Sequence, residues 1–162
     1  MVPETVSARE LLRHSLATIA YRAGKTIRDA PQGYVDFEAG KNCRTPLQIL
    51  AHISDLLDWA LSMAKGKSAW RDAVPVSWPD EVQRFFDSLK HLDDFLAGPE
   101  PLQASPEKLF QGPLADALNH VGQLALLRRL AGVPIRGENY YKAEIAKGRV
   151  GKTQSPPKLE FD

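Results

Sequence analysis

A single cysteine, Cys43, is all the chain contains, so no internal disulfide framework can form, and this usage fits a reducing compartment. No histidine lies beside Cys43 in sequence to activate it, and it reads as a loop thiol without a catalytic role. Charge of one sign is missing too: 21 basic residues stand against 20 acidic ones, a net charge of +1. That balance provides no footprint for a phosphate backbone, and nucleic acid is not an expected partner. No apolar run approaches the ~20 residues of a membrane span, and "MVPETVSARELLRHS" lacks the apolar stretch of a secretory signal. The expectation is a cytoplasmic protein without a membrane partner. Histidine is scarce as well, at four residues, which keeps any search for metal ligands short.

What is present is the composition of a globular domain, with 43% hydrophobic and 25% charged residues in 162. A chain of that length buries roughly two-thirds of its unfolded surface. Four amphipathic segments dominate. The first opens at "SARE", where Ser7 caps and Glu10 reaches back, and holds a helical period through Leu12, Leu16, Ile19, Ala20, Ala23 and Ile27 to about Ala30. After the breaker-rich "PQGYVDFEAGKNCR", a second helix starts with Thr45 as N-cap, Pro46 in the first turn and Gln48 as capping partner, and runs to about Lys65. Its inward stripe is Ile49, Ile53, Leu56, Ala60 and Met63, flanked by His52 and Trp59.

The third helix follows "GKSAWRDAVPVS", begins at Ser77 and Pro79, carries Val82, Phe85, Phe86, Leu89, Leu92 and Leu96, and stops at Gly98 and Pro99. "SPEKLFQ" reads as a capped turn or short helix, and the fourth long helix runs from near Pro113 to Gly132. "ENYYKAEIAK" is expected to add one short C-terminal helix. No segment reads as a strand. The fold class is therefore all-α, a four-helix bundle over residues 1–146 with a polar, breaker-rich segment at 147–162 as an extended or mobile tail. Linkers of a dozen residues can run the full length of an 18-residue helix, so up-down-up-down order and an arrangement with a long crossover are both allowed. Phe85 and Phe86 are adjacent and so are expected to face different ways, which points to a homodimer.

The chemistry concentrates in "DALNHVGQL", where Asp116 and His120 lie four residues apart. Both share a stripe with Leu124, Leu127 and Ala131, so the pair faces inward more readily than to water. Two readings stay open on spacing alone: an intrahelical Asp–His contact at the edge of the core, worth a few tenths of a kcal/mol, or part of a metal site. A third ligand has few sources. His14 and His91 follow Arg13 and Lys90 away from the apolar stripes and read as solvated, whereas His52 borders the inward stripe of the second helix, where an unpaired imidazole is costly.

The stretches "TPLQILAHISDLLDWAL" and "NHVGQLALLRRLAG" resemble the second- and fourth-helix signatures of the DinB-like superfamily of four-helix-bundle metalloproteins, and the likeness spans most of residues 7–146. The resemblance implies a divalent ion, usually zinc or nickel, held by one histidine of the second helix and two of the fourth. By position these are His52, His120 and, where the family pattern has histidine, Asp116. Two histidines and a carboxylate remain a good open-site set for a first-row ion. The resemblance further implies a metal-dependent enzyme, a hydrolase or thiol transferase, acting on a small molecule that includes thiols among its candidates. Glu138 is weighed as a fourth ligand or base against an exposed loop carboxylate. Tyr140 and Tyr141 are weighed as an entrance lining against packing residues, and Trp59 as core or pocket wall. The alternative function is a non-catalytic homodimeric interaction module in which the Asp/His pair is only structural.

Overall fold

The computed structural model describes residues 6–161. Positions 1–5 and 162, where the expected domain begins and the expected tail ends, lie outside the described residues. The protein is predominantly helical: α1 is Ala8–Ile27, α2 Gln32–Val35, α3 Pro46–Ala64, α4 Trp78–Ala97, α5 Pro106–Leu109 and α6 Ala115–Leu130. Among the described residues no helix is long and apolar enough to cross a membrane.

Local chemistry sets the helix starts. Ser7 and Glu10 form a reciprocal capping box on α1, and Thr45 and Gln48 do the same on α3 beside Pro46. Ser77 caps α4, and Ser105 caps α5. Gly132 follows α6 with φ +76, the left-handed position that a glycine enters without penalty.

The four long helices close into a ring in which α1 and α3 each pack on both α4 and α6. Contacts along their lengths give their directions. Arg9 at the start of α1 donates to the carbonyls of Phe95 (3.3 Å) and Leu96 (3.0 Å) at the end of α4, so these two are antiparallel. Arg84 near the start of α4 binds Asp55 and the Ala51 carbonyl, while Lys65, just past α3, lies over the Phe95 ring, so α3 and α4 are parallel. Arg128 at the end of α6 reaches the Thr26 carbonyl at the end of α1, a second parallel pair. The order that linker length left open is therefore one with a crossover: residues 65–77 carry the chain back along α3 before α4 begins.

Two expectations need correction and one boundary is refined. The fourth helix, expected from near Pro113, is α6 from Ala115, and it continues the short helix before it without a break. The turns starting at Pro106 run through a π-helical turn, Phe110–Leu114, into α6. Pro113 has no N–H to donate, and a widened turn absorbs the missing bond where a regular α-turn is interrupted.

"ENYYKAEIAK" forms turns rather than the expected short C-terminal helix. The Asn139 N–H donates to the Leu159 carbonyl, and the Asn139 side chain accepts from the Tyr141 N–H, so local bonds replace helical ones. Gly137–Glu138 and Glu160–Phe161 instead pair as two short antiparallel strands. The Phe161 ring occupies the space of a Gly137 side chain, within 2.7 Å of where a Cβ would lie.

Phe85 and Phe86 do not face different environments. Both are buried in the chain's own core, 5.0 Å apart between ring centroids. Val150 from the C-terminal segment is buried in the same core and borders the same cleft as Phe86. The homodimer expectation thus loses the exposed phenylalanine on which it rested. That segment also holds α4 through Lys152 and Gln83, and α1 through Glu160 and Lys25.

Candidate metal centre

His52 sits in the second turn of α3 and Asp116 and His120 in the first two turns of α6, and the antiparallel packing of these helices brings all three together. One potential ligand atom from each lies within 4.8 Å of the others. The His52 and His120 rings meet edge to face at 4.7 Å between centroids. Asp116 Oδ1 lies 3.4 Å from His120 Nε2. Two donors bound to one tetrahedral ion at 2.0–2.1 Å stand about 3.3 Å apart, so this separation suits a shared ion. It is long for a direct hydrogen bond.

The surroundings of the two imidazoles suit metal ligation. His120 Nδ1 lies 2.7 Å from Gln123 Oε1, one turn further along α6. An amide oxygen only accepts, so the ring proton belongs on Nδ1 and Nε2 keeps its lone pair toward Asp116 and His52. Burial, followed by the positive charge of Arg44, pushes the His52 pKa below its ordinary value and favours the neutral imidazole. The His120 side chain is 12% exposed and that of Asp116 45%, so the cluster is walled on one side and open to solvent on the other.

The crossover supplies the wall. Trp70 packs edge to face on His52 at 5.7 Å and on Trp59 at 5.6 Å, and the Trp59 indole N–H reaches Ser68 Oγ. Asp55 anchors the same segment by accepting from the Ala73 N–H at 3.0 Å and from Arg84 at 2.8 Å. His52 therefore also lies near Asp55 and the exposed Asp72, a second acidic grouping. Asp55 is already committed there to an ion pair and a backbone donor.

Other sequence candidates fall elsewhere. His14 and His91 are exposed. Glu138 is neither a ligand nor an exposed loop carboxylate: it is buried against Tyr21 Oη (2.5 Å) and Lys25 Nζ (2.9 Å) of α1. Tyr140 packs on Tyr21 and under the Arg22 guanidinium, and Tyr141 is exposed, so neither lines an entrance to the cluster. Trp70, Gln123 and Arg44 are the neighbours that sequence reasoning missed. Gln123 had a signal, one helical turn after His120; Trp70 had none, because its place depends on the path of the crossover.

Beside the cluster lies a cleft of about 400 Å³ whose lining includes His120, Gln123, Arg44, Ile49 and Leu127. No family model matches the chain, and no curated protein or solved structure was found to be similar to it.

Proposed function

We propose that the protein is a DinB-like four-helix-bundle metalloprotein whose site holds one divalent transition ion, zinc or nickel, on His52, Asp116 and His120, and that it acts on a small-molecule substrate as a hydrolase or thiol transferase. The observation that carries this reading is the convergence of three good ligands from helices more than sixty residues apart in sequence, with donor atoms within 4.8 Å of one another. The orienting bond from Gln123 and the depressed His52 pKa support it, since each prepares an imidazole to donate a lone pair. The partial exposure of Asp116 leaves room for a further ligand. A bound ion with an open position would supply Lewis acidity toward a carbonyl, phosphoryl or thiol group.

The test is the metal content of the full chain purified without a metal-chelating tag, before and after chelation and reloading. About one equivalent of zinc or nickel, restored on reloading, is the expected result. Protein that retains no transition metal and cannot be reloaded would instead favour the non-catalytic helical module, with Asp116 and His120 in a structural contact.

A further inference from the structure

The cleft beside the cluster has a polar end and an apolar end. His120 and Gln123 lie toward the start of α6, and Leu126, Leu127 and Leu130 follow them along the same helix. From His120 to Leu130 the helix rises about 15 Å. Leu126 and Leu130 are 53% and 56% exposed, an apolar pair one turn apart with no cover. Ile49 of α3 adds to the apolar lining. A cleft of about 400 Å³ falls in the size range of small-molecule sites.

Charge completes the pattern. Arg44, one residue before the α3 cap, is the one fully charged side chain in the lining. It is exposed and has no hydrogen-bond or ion-pair partner among the described residues, unlike Arg9, Arg13, Arg84 and Arg128. It also borders a second cleft that His52 lines, and its charge is felt at that imidazole. A free guanidinium beside a cation-binding cluster selects an anionic group, and a planar carboxylate matches its fork.

On the basis of the metal reading above, we propose that this cleft binds an aliphatic monocarboxylate, with the carboxylate between Arg44 and the His120 end and the hydrocarbon along Leu126, Leu127 and Leu130. One guanidinium suits a single negative charge, and the leucine row suits an unbranched apolar body. An uncharged or cationic analogue of the same length lacks the partner that Arg44 requires.

The test is calorimetric titration of octanoate, octan-1-ol and octylamine into the zinc-treated full chain, with bound zinc measured on the same samples. Cys43, the chain's single thiol, lies in the cleft lining, so its alkylation rate with iodoacetamide reports occupancy independently. Octanoate should bind more tightly than either analogue and slow alkylation of Cys43. Arg44→Gln should weaken octanoate by about tenfold or more with zinc stoichiometry unchanged. Leu130→Glu, at an exposed position, should repel octanoate similarly while the fold is kept. Octan-1-ol binding as well as octanoate, or indifference of octanoate binding to Arg44→Gln, would overturn the proposal. Zinc bound without octanoate would leave the metal reading standing and remove this one. Octanoate bound through Arg44 without zinc would keep this one and remove the metal reading.

Discussion

Two polar clusters, one around Glu138 and one around His52, each gather titratable side chains from distant parts of the sequence and are opposite in character. Around Glu138, four side chains from α1 and the C-terminal strands satisfy one another: Tyr21 and Lys25 donate to Glu138, and Lys25 also reaches Glu160 at 2.6 Å. Around His52, Asp116 Oδ1 stands 3.4 Å from His120 Nε2 and one ligand atom from each of His52, Asp116 and His120 lies within 4.8 Å of the others, so in the proposed metal reading an ion would accept the lone pairs that no protein donor takes up. The first cluster is closed, with the Glu138 side chain fully buried, and the second is half open. A gathering of titratable groups is thus not in itself a site. What distinguishes one is that its lone pairs converge without mutual satisfaction.

The comparison can be broken at either cluster, and the largest effect is expected at the open one. His120→Ala or His52→Ala should abolish stoichiometric zinc binding in equilibrium dialysis, because two remaining ligands hold a first-row ion poorly. Retention of full zinc affinity in either variant would separate that histidine from the site.

The closed cluster should respond in stability and not in metal. Lys25 stays charged although burial opposes it, because the hydrogen bonds and charges of Glu160 and Glu138 outweigh desolvation. Lys25→Met leaves Glu138 buried without a cation, a loss of about 3 kcal/mol that lowers Tm by roughly 6–12 °C, read by thermal denaturation. Zinc stoichiometry should not change. The same experiment on Gln123→Ala should show the reverse, a loss of zinc affinity of about 10–100-fold with little change in Tm, since Gln123 is exposed and acts through the His120 ring.

The smallest effect is a pH dependence. The hydrogen bond from Lys25, then its charge and that of Arg136, hold the Glu160 carboxyl below its ordinary value of 4.5. A carboxyl whose folded pKa is depressed stabilises fully above the unfolded value and loses that contribution as pH falls through the folded one. Glu160→Gln should therefore lower the denaturation midpoint near neutrality and converge with wild type in acid below the ordinary carboxylate range. Parallel curves at all pH values would remove the role assigned to this ion pair.

The contrast between the clusters also explains what was legible in the sequence. Caps and helix faces are local, and Ser7, Thr45, Ser77 and Gly132 marked element ends through chemistry confined to a few residues. His52, Asp116 and His120 were legible as candidates because each borders an apolar helical stripe, where a polar residue calls for a partner. Their meeting was not, because it depends on α3 lying antiparallel to α6, and linker lengths allowed other orders.

The closed cluster was hidden for the same reason. Glu138 owes its burial to a strand pairing with residues more than twenty positions away, and Phe86 owes its burial to a core completed by Val150. The short helix expected near Tyr140 failed because the Asn139 N–H is taken by Leu159, a contact that no local window contains.

The most direct test of the central claim is cobalt(II) titration of the tag-free full chain, wild type against Asp116→Ala and Asp116→His, followed through the d–d absorption bands. Convergence of His52, Asp116 and His120 on one ion predicts one equivalent of cobalt with intense low-symmetry bands in wild type. Asp116→His should retain the ion with shifted bands, and Asp116→Ala should lose most of it. Bands and stoichiometry that are the same in wild type and Asp116→Ala would contradict coordination by Asp116, and the absence of bands in wild type would contradict the metal centre itself.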